Sequence, residues 1–254
     1  MNGRLLISKK GFSWELNSGI ITGLPDYTSS YPACEAFYYN NDLYLIYGDS
    51  TSGAKGYLRG STSWATNADI KAGLPTSTYQ APTFYYIDSY LYLILGIQAG
   101  TFLGYYYSGS WETYSSQVSG LSDIGSYSTP HYILIGTSEY LLAGENTSVI
   151  NGYKRVSGSW TADTTINSGI TVGAYSTFAH FWFNSELFLI QSINGTLYGY
   201  KWNGNGWDSD TSAINGLPTE LNRSSAITVF EMNGDFYFIR MDRLGITLGY
   251  KLIS

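Results

Sequence analysis

The chain carries one cysteine, two histidines and few charges. Cys34 alone cannot form an intramolecular disulfide, and one thiol with two imidazoles does not make the Cys/His cluster of a structural zinc. Cys34 sits in an apolar run and reads as a small core residue. Lysine and arginine number 13 against 19 aspartates and glutamates, a formal net charge of -6. That leaves no basic footprint for phosphates, so neither nucleic acid nor an anionic membrane surface is an expected partner. No stretch approaches the roughly 18 apolar residues of a transmembrane span, so no membrane insertion is expected. Residues 1–10 lack the hydrophobic region of a signal peptide. No motif calls for a metal or a cofactor, and none supplies a nucleophile elbow.

What is present is aromatic and turn-rich: 25 Tyr and 29 Gly, with Ser, Thr and Asn at most other polar positions. This composition favours strands and tight turns over helices. Low charge with this polar complement also suggests a chain displayed outside the cell or on a virion surface.

The strongest signal is an internal repeat. Five tryptophans, Trp14, Trp64, Trp111, Trp160 and Trp207, are separated by 50, 47, 49 and 47 residues. A Gly-Tyr pair precedes four of them, at Gly56, Gly104, Gly152 and Gly199, and a fifth pair begins at Gly249 near the chain end. Upstream of each pair lies an apolar strand, such as 43–48 and 91–96, and before that another, with turn formers such as Asn40-Asn41-Asp42 between the two. A Gly-Leu-Pro or a relative follows each tryptophan, as at Gly23, Gly73 and Gly216. Four short strands per period of just under fifty residues predict an all-β, five-bladed propeller, because one blade cannot bury both its faces alone. The predicted blades span 31–68, 79–116, 127–165, 175–212 and 223–254, the last completed by a strand within 1–18. Joining the two ends in one blade closes the ring without an open edge. Leu5 to Ser8 occupy the same phase as the C-terminus and are surplus to that scheme.

The order of an apolar strand, a strand ending in glycine, then Tyr and Trp seven apart resembles the kelch repeat, with its doubled glycine reduced to one at Gly48, Gly96 and Gly144. The period and blade number are similar to tachylectin-2-type lectins, and that resemblance implies sugar sites between blades.

Alignment of the blades puts Glu35, Thr83, His131, Ala179 and Thr228 in one register, with His180 one step later. Period-two alternation then sends His131 and His180 to opposite faces and argues against a shared site. Tyr31, Tyr79, Tyr127 and Tyr175 recur where the chain enters the first strand of a blade, and offer flat platforms for a sugar ring. Glu35 is the one carboxylate near the start of a first strand. The candidate ligand-binding residues are therefore Tyr31, Tyr79, Tyr127, Tyr175, Glu35, His131 and His180, and no catalytic residue is singled out. The reading that follows is a non-enzymatic recognition or structural module, lectin-like, whose partner is a glycan or a surface protein. The alternatives are a protein-interaction propeller and a five-bladed glycoside hydrolase.

Overall fold

The computed structural model describes residues 11–26, 33–49, 53–76, 80–218, 226–242 and 244–254. Among the described residues, twenty strands form five antiparallel sheets of four. Blade 1 contains β2 (Ala33–Tyr39), β3 (Asp42–Asp49), β4 (Gly53–Arg59) and β5 (Trp64–Thr66). Blade 2 contains β6 (Gln80–Ile87), β7 (Tyr90–Ile97), β8 (Phe102–Tyr107) and β9 (Trp111–Thr113). Blade 3 contains β10 (Thr129–Ile135), β11 (Ser138–Gly144), β12 (Ile150–Val156) and β13 (Ser159–Ala162). Blade 4 contains β14 (Thr177–Phe183), β15 (Glu186–Ile193), β16 (Thr196–Trp202) and β17 (Trp207–Ser209). Blade 5 is composite: β18 (Ala226–Met232), β19 (Asp235–Met241) and β20 (Thr247–Ile253) are completed by β1 (Ser13–Leu16). Trp14 pairs with Leu252 there, so the Trp14 strand closes the ring as the repeat predicts. Leu5 to Ser8, Tyr31 and Tyr79 lie outside the described residues.

The core lies in the seams between blades, where apolar positions of adjacent sheets meet. Phe37 stacks on Phe84 at 3.9 Å between blades 1 and 2, and Tyr85 stacks on Tyr132 at 4.6 Å between blades 2 and 3. At the rim, each repeated tryptophan reaches back one blade. The indole N–H groups of Trp64, Trp111, Trp160, Trp207 and Trp14 donate to the carbonyls of Ile20, Ile70, Gln117, Ile166 and Ala213, at 2.7 to 3.0 Å. Each acceptor sits in the turn that follows the preceding blade's outer strand. In four blades that turn is a single 3-10 turn, an element the sequence pattern does not reveal.

Two glycine positions explain themselves in this frame. Gly23 sits at φ +89° in the turn after β1, and a Cβ there would lie 2.1 Å from the Trp64 carbonyl. At Gly48 a Cβ would fall 1.6 Å from the Gln80 carbonyl, where the next blade's inner strand crosses the end of β3. That crossing is the physical reason for the glycine that ends the second strand at Gly48, Gly96 and Gly144. Blades 4 and 5 carry Ser192 and Met241 in the same register.

Replacing Trp160 by Phe keeps an aromatic plug but orphans the buried Gln117 carbonyl, which should cost about 1–3 kcal/mol. Urea unfolding should show that loss for Trp160→Phe and almost none for Trp182→Phe, since Trp182 is an exposed tryptophan outside the series. Equal losses for the two variants would remove the hydrogen bond from the account.

Candidate functional site

Five inner strands converge on the axis, and their backbones leave little room. Ala33, Ala81, Thr129, Thr177 and Ala226 occupy equivalent register positions at the strand starts. Small residues there let five chains approach one line. Together with neighbouring residues they line a small, partly open recess of about 20 Å³ that draws on all five inner strands and reaches Glu35 and His131. A second cavity of about 40 Å³ is lined by Glu35, His131, Phe178, Ala179, His180, Ile227, Thr228 and Val229. Both are too small for a sugar ring. A saccharide has room only outside them, at the mouth where the inner strands begin or in the wider recess of about 460 Å³ lined by Ala36, Tyr38, Val229, Phe230, Glu231 and Asn233.

The register of Glu35, Thr83, His131, Ala179 and Thr228 is the one seen, opposite Ile46, Ile94, Leu142, Ile190 and Ile239. These side chains form a polar belt that ties each inner strand to the next. Thr228 Oγ1 accepts from the Ala36 amide at 3.1 Å, Glu35 Oε1 from the Phe84 amide at 3.5 Å, and Thr83 Oγ1 from the Tyr132 amide at 3.0 Å. The Thr83 hydroxyl in turn donates to the Glu35 carboxyl.

His131 continues the belt differently. Its Nε2 lies 2.9 Å from His180 Nδ1, with ring centroids 5.0 Å apart. The alternation argument that kept the two histidines apart is thereby corrected. Alternation places side chains on two faces of one sheet, whereas β10 and β14 belong to sheets rotated by a fifth of a turn about the axis. Opposite faces of neighbouring sheets converge in the seam between them. Whichever nitrogen carries the shared proton, the neutral pair keeps one ring nitrogen with a free lone pair outside the mutual bond.

Burial sets the charge states. It pushes the Glu35 carboxyl up to about 8, against the smaller opposing effect of the hydrogen bonds from Thr83 and Phe84. Burial pulls His180 down to about 4, and burial together with His180 pulls His131 well below the ordinary imidazole range. At neutral pH the axis therefore holds a protonated carboxylic acid beside two neutral imidazoles. Cys34, next to Glu35, is buried and its thiol is pushed up, first by burial and then by Glu35. That makes it a core residue and a poor nucleophile.

Of the four recurring tyrosines, Tyr127 and Tyr175 are described. Both are partly exposed and both have left-handed backbones, at φ 63° and 57°. Their rings lie 6.2 Å apart, and Tyr127 packs over Ala33 and Ala81 at the top of the axial channel. A bulky residue in this region is strained by about 1–3 kcal/mol, a cost that tends to cluster at functional sites. The structure thus brings Glu35, His131 and His180 together on the axis and sets Tyr127 and Tyr175 at its mouth. Sequence reading overlooked Glu145 and Asp242, buried carboxylates one residue past the ends of β11 and β19. Their shared phase after the second strand was the available signal. Asp242 Oδ1 accepts from the Leu244 and Ile246 amides at 2.9 Å, and Arg240 donates to the Gly195 carbonyl at 2.7 Å, so this corner holds loops in place. Among the described residues no group of three or more potential ligands could hold a metal ion.

No protein-family model matches the sequence, and no curated protein does. The kelch-like and tachylectin-2-like features therefore rest on the order of strands and turns alone. Solved structures show the fold. CoXyl43, a GH43 β-xylosidase/α-arabinofuranosidase from a compost microbial metagenome, crystallised with xylotriose, is 12% identical, with a TM-score of 0.59 over 90% of this chain and 92% of that one. An α-L-arabinofuranosidase from Clostridium thermocellum is 14% identical, with a TM-score of 0.57 over 84% and 82%. The SapL1 lectin, in complex with α-methyl fucoside, is 14% identical, with a TM-score of 0.52 over 84% and 74%. These proteins handle glycans. The expectation of a non-enzymatic module is corrected here: several of the similar structures are GH43 glycoside hydrolases, which favours the enzyme alternative over the lectin-like one, while a likeness at 10–14% identity shows the fold alone.

The charge states at the axis have a consequence for stability. Glu35 takes up a proton on folding between its ordinary 4.5 and about 8, so it weakens the fold as pH rises through that window. The two histidines act in the opposite sense, but only below 6.5. Stability should therefore peak near pH 6.5 and fall toward pH 8, by up to ~1.4 kcal/mol per pH unit. Urea midpoints across that range should show this slope in the wild type and a flatter one in Glu35→Gln. Identical slopes in the two proteins would place the titrating group elsewhere.

Proposed function

We propose that this propeller cleaves glycosidic bonds at the mouth of its axial channel. The observation that carries the reading is the juxtaposition, around one small, partly open recess, of a carboxyl held protonated at neutral pH and an imidazole pair held neutral. An acid that keeps its proton and a base that keeps its lone pair are the two groups that hydrolysis of a glycoside requires. In this reading Glu35 gives its proton to the glycosidic oxygen as the bond from that oxygen to the anomeric carbon breaks. A water oxygen bonds to the anomeric carbon, and the proton it sheds goes to the free ring nitrogen of the His131–His180 pair. Glycoside hydrolases commonly use two carboxylates for these roles. Glu35 is the one carboxylate on the axis among the described residues, so the histidine pair takes the second role here.

Tyr127 and Tyr175 serve as the aromatic platform on which the apolar face of the sugar rests at the mouth. The GH43 enzymes among the similar structures support a pentose-containing glycan as substrate. A polymer of that kind suits a chain of low charge working outside the cell.

Chromogenic xylosides and arabinofuranosides test the proposal. Turnover should follow a bell-shaped pH profile with limbs near 4 and 8, set by His180 and Glu35. Glu35→Gln should lower kcat by about 10²-fold or more, and His180→Asn should abolish or displace the acidic limb. No turnover above a blank on any pentoside, or full activity in Glu35→Gln, would sink the assignment.

A further inference from the structure

We infer that the gap left by Ala179 in the polar belt is a built water site, and that its water is the one consumed at the axis. The second half of this inference rests on the hydrolytic reading above. Around the axis, Thr228, Glu35 and Thr83 each offer an oxygen to the amide of the next inner strand. His131 meets the side chain of His180 instead. At the seam between blades 4 and 5 the equivalent residue is Ala179, whose methyl group can neither donate nor accept. The register places Val229 in the position held by Ala36, Phe84 and Tyr132 in the blades where the belt is complete.

The larger axial cavity lies at this break. It has Ala179 and Val229 on its walls, and Glu35, His131, His180 and Thr228 complete its polar lining. A volume of about 40 Å³ exceeds the ~10–15 Å³ that one water needs, and an enclosed water makes about three hydrogen bonds. The lining meets that need. Glu35, His131 and His180 line the chamber. Thr228 Oγ1 already accepts from Ala36, so its own O–H is left to donate. An apolar hole of this size would stay dry, whereas one with these partners fills. The same walls carry the proposed acid and the proposed base, so a water held here stands next to the group that would take its proton. Ala179 is thus a positioning residue: its small side chain makes the room.

The belt itself supplies the test. Threonine occupies this register at Thr83 and Thr228, so Ala179→Thr puts a residue the strand accepts into the gap and fills the chamber. Ala179→Ser adds the hydroxyl with less bulk. A high-resolution crystal structure of the wild type should show ordered water in the chamber, bonded to at least two of Glu35, His180 and Thr228. Ala179→Thr should lose that water, melt no lower than wild type, and turn over a p-nitrophenyl pentoside at least 100-fold more slowly with little change in KM. Ala179→Ser should fall between the two and secures the comparison if the threonine variant folds poorly. A dry chamber in the wild type overturns the water site whatever the activity. A variant with a filled chamber and undiminished kcat overturns the catalytic role of the water while wild-type turnover stands. If the wild type cleaves no glycoside, the hydrolytic reading fails on its own, and water occupancy and melting temperature still decide the site.

Discussion

Each blade of this propeller is held to the one before it by the same contact, an outer-strand indole N–H bonded to a carbonyl in the preceding blade's turn. The contact needs a tryptophan because the donor must reach across the seam while the ring fills it, and a buried donor without an acceptor would cost more than the bond gains. It also needs the turn at one place, which the glycine at φ +89° after Trp14 and its equivalents provide. Five such latches close only if the fifth is made between the two ends of the chain. Trp14 makes it, bonding Ala213 while its strand pairs with β20. The cyclic geometry, and hence the convergence of the inner strands, follows from this rim.

At the centre the same fivefold logic is deliberately broken. The belt of side chains that staples inner strands together would be complete with threonine at every position, as at Thr83 and Thr228. Glu35, the His131–His180 pair and Ala179 replace it on three of the five seams, and each exchange gives up a neutral staple for a titratable group or a space. Burying a carboxyl and two imidazoles is unfavourable for their charged forms, so the axis settles into an acid that keeps its proton and bases that lack one. The departure from symmetry, rather than the symmetry, sets the charge states on the axis.

Much of this was open to a reader of the sequence. The spacing of Trp14, Trp64, Trp111, Trp160 and Trp207 announces five blades, since a residue that recurs at a fixed period has a fixed structural duty. Gly-Tyr before each tryptophan marks the third strand, and the register of Glu35 with His131 follows from counting back from the second-strand aromatics. The missing fourth strand at the C-terminus points to closure by the N-terminal strand. What was not open was any relation across a seam. His131 and His180 differ by one step in phase and so seemed to face apart, and Ala179 was one member of a register. Glu145 and Asp242 share a phase that the sequence does show, but their burial does not follow from it.

The division has a single physical cause. Periodicity in a sequence encodes local geometry, strand alternation and turn preference, which act over a few residues and repeat identically in each blade. The sequence alone thus determined the blade count, the strand order, the packing role of the tryptophans and the composite closure. The charge states of Glu35 and the histidines, their contact, and the chamber beside Ala179 depend on how far apart sheets lie and how they are rotated about the axis. Those quantities exist only once the ring has closed, and the tertiary structure alone decided them.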